Sequence, residues 1–187
     1  DAIYTGYLGS VAQTEIVKNI IGLLKTDRTF VLVDPVMADN GTYYSNLGDT
    51  HCQGFRDLIK TADIITPNMT EAAFLLNKEY RQPPYDEAWL RSMLEELCLL
   101  GCRSAVITGA AVTEGKTGAA CFDSVSGNYY LYETDIISGF YHGGGDIFAS
   151  VLTACLCRGI PLNRSVKAAV DFVHMCIERT KLRATPT

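Results

Sequence analysis

Short apolar runs that alternate with helix-like segments constrain the fold of this chain more than any other feature. Residues 30–33 (Phe-Val-Leu-Val) and 105–107 (Ala-Val-Ile) are apolar throughout, which is typical of parallel strands buried on both faces. Segments 50–61 and 86–100 lie between them and have the length and pattern of helices. Because parallel strands need a crossover that is usually a helix, this alternation predicts an α/β fold with a mainly parallel sheet covered on both faces.

The other elements follow the same pattern, with an exception at one edge of the sheet. Ser10 and Asp86 are predicted helix N-caps. Residues 118–122 and 128–132 flank a five-residue loop and predict an antiparallel edge hairpin, whereas the Gly- and Asn-rich residues 37–49 are expected to form a long loop. The sequence further predicts strands over 2–8 and 63–66, and helices over 11–24, 70–76, 162–180 and from the Gly-rich loop at 143–145 to 158.

Composition argues against several classes of function. The 187 residues are 48% apolar and 20% charged, which suits one domain with a sizeable core and not a disordered chain. A formal charge of −5 argues against a groove for nucleic acid. The longest apolar run, residues 148–157, is about half of the roughly 20 residues that cross a bilayer. We therefore expect neither a nucleic-acid nor a membrane partner.

The seven cysteines form no CxxC pair and do not predict a zinc site. Five of them lie among apolar residues in helix-like stretches and are expected to be free, buried thiols in a reducing cytoplasm: Cys98, Cys102, Cys155, Cys157 and Cys176. The chain opens without Met and in a strand-like segment, so we expect its numbering to start inside a longer gene product.

Three predicted strands end in polar corners marked by Pro or Gly. These corners are Asp34-Pro35, Thr66-Pro67-Asn68 and Thr108-Gly109. In open α/β sheets, ligands bind outside the carboxyl ends of the strands. We therefore expect all three corners to open on one rim and to form the ligand site.

A run of three glycines, Gly143 to Gly145, precedes Asp146 at the start of a predicted helix. Backbone N–H groups can converge on an anion there without side-chain obstruction, and the positive end of the helix dipole points at the same place. Asp146 could accept a proton from an attacking hydroxyl group. The alternative is a flexible loop with an acidic residue at a helix start.

A second motif, residues 68–71 (Asn-Met-Thr-Glu), follows another strand. Asn68 and Glu71 could hold Mg²⁺ directly or through water, because hard cations prefer oxygen ligands. Alternatively, Thr70 caps a helix and Glu71 is simply favourable in its first turn.

Two carboxylates, Asp34 and Asp39, flank the exit of the strand at 30–33. This spacing suits the handling of cations and phosphates, and a turn with polar residues is the alternative. Tyr44 follows in the predicted long loop, where it either covers a ligand or anchors the loop.

Together these motifs resemble the ribokinase-type (PfkB) superfamily, and most of all its vitamin B6 kinases. Five stretches carry the resemblance, in order and at matching spacing over essentially the whole chain: residues 5–10, 34–41, 66–72, 106–109 and 141–146. The resemblance implies a ribokinase-like three-layer αβα sandwich and ATP-dependent phosphorylation of the 5′-hydroxymethyl group of pyridoxal, pyridoxine or pyridoxamine. The alternatives are a hydroxymethylpyrimidine kinase of thiamine synthesis and a nucleotide-binding remnant with little turnover.

The resemblance also implies roles by position. Asp146 matches the family's general base, and Gly143, Gly144 and Gly145 match its anion hole. The positions that match residues at ATP and its phosphates are Asn68, Thr108, Gly109, Asp39 and Tyr44. The positions that match residues near Mg²⁺ or a monovalent cation, K⁺ or Na⁺, are Glu71, Asp34 and Thr66. A homodimer is the expected assembly.

Two departures from the family pattern concern the glycine loop and the N-terminus. Position 144 usually holds Thr in the family, and its loss is expected to loosen the loop while leaving its backbone donors in place. Family members also extend further at the N-terminus, where most vitamin-binding side chains lie, and past the C-terminus. We therefore expect this single domain to carry the phosphoryl-transfer half and little of the pyridine pocket.

Overall fold

A computed structural model describes residues 1–139 and 141–184 of the chain. Its fourteen elements, in chain order, are β1 (Ala2–Thr5), α1 (Val11–Leu24), β2 (Phe30–Val33), β3 (Ala38–Asp39), β4 (Thr42–Tyr43), α2 (Asp49–Ile59), β5 (Ile64–Ile65), α3 (Met69–Leu75), α4 (Glu87–Cys98), β6 (Ser104–Thr108), β7 (Lys116–Asp123), β8 (Asn128–Asp135), α5 (Gly144–Cys157) and α6 (Leu162–Ala184).

The main sheet has six strands in the order β1-β2-β5-β6-β7-β8. The first four strands are parallel, and β7 and β8 form an antiparallel hairpin at the edge. The mainly parallel sheet and its edge hairpin, both predicted from the sequence, are confirmed. The small hairpin of β3 and β4 stands apart from this sheet.

Helices cover both faces of the sheet, because successive side chains of each strand point to opposite sides. In β2, Val31 and Val33 join a core cluster with α1, α2, α3 and α4. Leu32 between them joins a second cluster that includes Phe148 of α5 and Val166 of α6. The full burial of all three β2 residues explains why this strand is apolar throughout. The three-layer αβα arrangement is therefore confirmed.

Helix capping follows the sequence in two places and departs from it in a third. The side chains of Ser10 and Asp86 accept from backbone N–H groups at the starts of α1 and α4, as predicted. The interpretation of Thr70 as the cap of α3 is wrong. Asn68 is the N-cap, and its side chain and that of Glu71 form a reciprocal capping box. Thr70 instead accepts a hydrogen bond from the backbone N–H of Gly41.

Several predicted bounds need correction. Strand β1 ends at Thr5 instead of residue 8, and the predicted loop over 37–49 contains the β3–β4 hairpin and the start of α2. The edge hairpin is longer than predicted, and its paired ends Asp123 and Asn128 enclose four loop residues. The last helix continues past residue 180 to Ala184.

The seven cysteines are all free, but the prediction that all five in helix-like stretches are buried is wrong. Cys98 and Cys102 are buried, whereas Cys155 and Cys176 are partly exposed and Cys157 is exposed. The last three lie on α5 and α6, whose other faces supply the core. Among the described residues, no helix combines the length and hydropathy needed to span a bilayer.

Candidate active site

The carboxyl ends of three parallel strands meet at one cleft of about 410 Å³. Asp34 follows β2, Thr66 follows β5, and Thr108 ends β6; all three line the cleft, as the strand-end argument predicts. The backbone N–H of Thr108 donates to Pro67 O at 2.9 Å, which ties two of these corners together. The glycine loop, Gly143 to Gly145, completes the cleft at the N-terminus of α5.

Buried carboxyl groups dominate the electrostatics of the cleft. Asp34 is 6% exposed, and burial together with the charge of Asp146 raises its pKa to about 7. Glu71 is 3% exposed, and burial together with the charge of Asp34 raises its pKa to about 8. No Lys or Arg is found among the described residues that line the cleft. The site therefore favours a cation that would offset these carboxylates.

Asn68 and Glu71 use their side chains first to hold the protein together. Asn68 Oδ1 accepts from Glu71 N at 2.9 Å, and Glu71 Oε2 accepts from Asn68 N at 2.9 Å. Glu71 Oε1 accepts from Met37 N at 3.0 Å, and Asn68 Nδ2 donates to Ala38 O at 2.7 Å. Both residues nevertheless line the cleft. Their contacts with nucleotide or Mg²⁺ remain predictions. Both residues also have a structural role, which the sequence did not reveal.

The N-terminus of α5 is open. Its N-cap is Gly143, which has a left-handed backbone (φ 82°) and no side chain to cap the helix. Backbone N–H groups of the first turn are therefore left without a side-chain partner, as an anion site requires. Asp146 lies in this turn and is exposed, and Tyr4 Oη donates to its Oδ1 at a long 3.5 Å.

Asp39 and Tyr44 reach the cleft from the β3–β4 hairpin and the residue that follows it. The carboxylate of Asp39 accepts from the backbone N–H and the side-chain amide of Asn40, at 2.9 and 3.1 Å. The Tyr44 backbone N–H donates to Met37 O at 2.9 Å. Burial, followed by the charge of Glu71, raises the pKa of Tyr44 to about 12, so its hydroxyl stays protonated and can donate.

A second cavity of about 470 Å³ adjoins the cleft and shares Thr108, Gly144 and Gly145 with it. Gly109, predicted to contact the nucleotide, lies here and not in the first cleft. The sequence missed most of its walls, which come from the edge hairpin and α6: Thr117, Thr134, Ile136, Ile137, Val170, Val173, His174 and Ile177. No local motif marks them, because they meet only when α6 packs beside β8.

The chemistry of the donors fits a cation at the rim. The hydroxyl groups of Thr5 and Thr66 are buried on either side of Asp34 and make no well-aligned hydrogen bond. Thr66 acts to lower the pKa of Asp34, but burial and the charge of Asp146 outweigh it. Among the described residues, no three His, Cys, Asp or Glu cluster closely enough to hold a metal alone. Mg²⁺ would therefore need water and phosphate oxygens as further ligands, which is its usual preference.

A family model described as phosphomethylpyrimidine kinase matches residues 1–185. The chain belongs to the phosphomethylpyrimidine kinase family. A Caenorhabditis elegans relative with the provisional name pyridoxal kinase is 33% identical over 177 residues, which are 91% of this chain and 52% of the relative.

Solved structures agree with this assignment. A crystal structure from Bacteroides thetaiotaomicron, of a protein provisionally named a phosphomethylpyrimidine kinase and obtained with pyridoxal, is 34% identical with a TM-score of 0.91. It matches 96% of this chain and 63% of its own chain. Pyridoxal kinase from Lactobacillus plantarum is 29% identical with a TM-score of 0.88, over 100% of this chain and 65% of its own. The ribokinase-like fold and the resemblance to vitamin B6 kinases are therefore confirmed. The chain spans between half and two thirds of the length of these relatives.

Proposed function

We propose that this chain provides the phosphoryl-transfer site of an ATP-dependent kinase that phosphorylates the 5′-hydroxymethyl group of a B6 vitamer. The observation that carries this is the open N-terminus of α5, where unfilled backbone donors and the exposed carboxylate of Asp146 occupy the same helical turn. An anion hole and a proton acceptor are the two groups that phosphoryl transfer to an alcohol needs from the protein.

The steps assigned to this chain are few. Asp146 takes the proton from the substrate hydroxyl, and the backbone N–H groups of Gly143 to Gly145 stabilise the negative charge on the transferred phosphoryl group. Mg²⁺, when bound with ATP, offsets phosphate charge. Asp34, Thr66 and Glu71 would hold that ion or a monovalent cation, K⁺ or Na⁺. The cation would neutralise the buried carboxylates of Asp34 and Glu71.

The nucleotide is assigned to the two adjoining cavities. Its phosphates would lie in the cleft beside Asn68, Asp39 and Tyr44. Its base and sugar would fill the more apolar second cavity, where Thr108 and Gly109 form the entrance. A crystal structure of Bacillus subtilis pyridoxal kinase, 25% identical with a TM-score of 0.76, is an ADP complex, which supports ATP as the donor.

There are two alternatives to a B6 kinase. The description of the family as phosphomethylpyrimidine kinase favours a kinase of hydroxymethylpyrimidine or its phosphate, which would perform phosphoryl transfer on a different heterocycle. The Bacteroides thetaiotaomicron structure, which was obtained with pyridoxal, supports a B6 vitamer as the phosphoryl acceptor. A nucleotide-binding remnant is the third candidate, because Gly replaces the Thr expected at position 144.

One experiment separates these candidates. Calorimetric titration with MgATP, pyridoxal and hydroxymethylpyrimidine is paired with an assay of ADP release. A B6 kinase binds MgATP and pyridoxal and releases ADP only when pyridoxal is present. ADP release with hydroxymethylpyrimidine alone would assign the thiamine branch, and binding of MgATP without any turnover would identify a remnant. Asp146→Asn is the control that ties turnover to this site.

The homodimer and the cytoplasmic location stay predictions. An exposed apolar strip on α1, formed by Ile16, Ile20, Leu23 and Leu24, supports association with a further protein surface. Sedimentation velocity over a concentration series tests the dimer directly.

A further inference from the structure

The β3–β4 hairpin is a small unit outside the main sheet, and with the residue that follows it delivers two side chains to the cleft. Its strands have two residues each and are joined by Asn40 and Gly41, both with positive φ (49° and 78°). A two-stranded hairpin of this size is not stable alone. The positions of Asp39 and Tyr44 in the cleft therefore depend on what holds the hairpin in place.

Side chains at the start of α3 hold it at both ends. Glu71 Oε1 accepts from Met37 N, and Asn68 Nδ2 donates to Ala38 O, so the base of the hairpin is fixed by two residues. The turn is held by one polar contact from α3, in which Gly41 N donates to Thr70 Oγ1 at 3.0 Å.

Thr70 differs from its two neighbours in having no place in the cleft. Asn68 and Glu71 line the cleft themselves, whereas Thr70 is 1% exposed and does not. The hydrogen bond from Gly41 N links the Thr70 side chain to the hairpin. Gly41 also packs closely against the ring of Tyr80, because an added Cβ at this position would lie 3.0 Å from the ring.

We propose that Thr70 is a positioning residue, whose hydroxyl group holds the Asn40–Gly41 turn and thereby keeps Asp39 and Tyr44 beside the phosphate-binding part of the cleft. The expected kinetic effect of Thr70 rests on the proposed kinase function. Its structural effect rests on the contact with Gly41 and does not need that function. The two can therefore be tested apart.

The structural arm compares Thr70→Val, which keeps the shape and removes the acceptor, with Thr70→Ser, which keeps it. Hydrogen exchange of the amides of residues 38–43 is expected to be about twofold to tenfold faster in Thr70→Val, as expected for one lost hydrogen bond, and close to wild type in Thr70→Ser. Thr14→Val is the matched control, because Thr14 is equally buried and its hydroxyl donates within α1, remote from the hairpin. Unchanged exchange in Thr70→Val, or equal acceleration in Thr14→Val, would overturn the proposal.

The kinetic arm measures KM for MgATP and kcat with pyridoxal. Thr70→Val is expected to raise KM about threefold to tenfold with kcat reduced by less, with rescue by Thr70→Ser and no effect of Thr14→Val. A wild-type protein without turnover would refute the proposed function, while the exchange data would still decide the anchoring role. In an active enzyme, a loosened hairpin with unchanged KM would refute the positioning role.

Discussion

Two helix N-termini face the same cleft and are finished in opposite ways. Helix α3 has Asn68 as its N-cap, whose side chain and that of Glu71 pair with backbone N–H groups at the helix start. Helix α5 has Gly143 as its N-cap, which has no side chain to offer. The first N-terminus supplies its own partners, while the second keeps its donors available for an outside group.

Burial follows the same division. Glu71 is 3% exposed and accepts three backbone hydrogen bonds, whereas Asp146 is exposed in an uncapped first turn. Acidic residues at equivalent helical positions are therefore used differently: Glu71 has a mainly structural role in α3, whereas the role proposed for Asp146 in α5 is chemical. Variants at the two positions should separate stability from turnover.

Asp146→Asn is expected to have the largest effect. It should lower kcat by roughly 10²–10⁴, the usual contribution of a positioned base. MgATP affinity should change little, because the phosphates meet backbone donors and the cation. Thermal unfolding should be unchanged, since the side chain is exposed. Near-normal turnover would remove Asp146 from the mechanism and with it the chemical half of the comparison.

Glu71→Gln should chiefly reduce stability. An amide nitrogen cannot accept from a backbone N–H, so at least one of the donors Met37, Ala38 and Asn68 loses its partner, at a cost of about 1–3 kcal/mol in the free energy of unfolding. The Mg²⁺ concentration for half-maximal rate should also rise.

Urea unfolding measures the loss, with Glu15→Gln as the matched control. Among the described residues, Glu15 forms an exposed ion pair with Lys18, so its replacement should cost less than about 1 kcal/mol. Equal losses in the two variants would mean that the capping box of α3 is not a special structural feature.

The pH dependence of stability should expose the buried carboxyl groups. Folding raises the pKa of Asp34 from 3.8 to about 7 and that of Glu71 from 4.5 to about 8. The folded state therefore holds more protons than the unfolded state in this window, and the free energy of unfolding falls as pH rises from about 4 to 8. Scanning calorimetry without added ligand should show the unfolding temperature fall over that range.

Adding MgATP tests whether the buried carboxylates cause this pH dependence of stability. The ion would offset the carboxylates, so the gain in unfolding temperature on adding MgATP should be larger at pH 8 than at pH 5.5. A flat profile without ligand would show that Asp34 and Glu71 titrate near their ordinary values.

Gly144→Thr should have the smallest effect and sharpen the comparison at the open N-terminus. An added Cβ at position 144 meets Val173 at an ordinary 3.9 Å, so the backbone there has room for a β-carbon. Restricting the unfolded chain should raise the free energy of unfolding by up to about 1 kcal/mol, with the backbone donors still open.

Gly143→Ala is the contrasting control, because φ at this position is 82°. A side chain there costs about 1–2 kcal/mol, so the two neighbouring glycines should respond with opposite signs in chemical denaturation. Destabilisation by both substitutions would mean that the whole loop, and not only the N-cap, requires glycine.

Much of the fold could be predicted because its signals are local. The apolar run of β2, the caps at Ser10 and Asp86, and the glycines before α5 each act within a few residues. The β3–β4 hairpin was missed although its Asn40–Gly41 pair is a strong signal for a two-residue turn, because the surrounding Gly and Asn residues favoured a loop. The cap of α3 was misassigned because Asn68 and Thr70 are both good N-caps by residue type.

The sequence by itself determined the parallel sheet, the rim on which its strands end, and the glycine loop beside Asp146. These depend on residue type and on spacing along the chain. Only the tertiary structure decided that Glu71 reaches Met37 and Ala38, that Thr70 holds Gly41, and that α6 helps to wall the second cavity. Those contacts join residues about 30 or more positions apart, so they form only once the layers have packed. The raised pKa values of the buried carboxyl groups depend on the same packing.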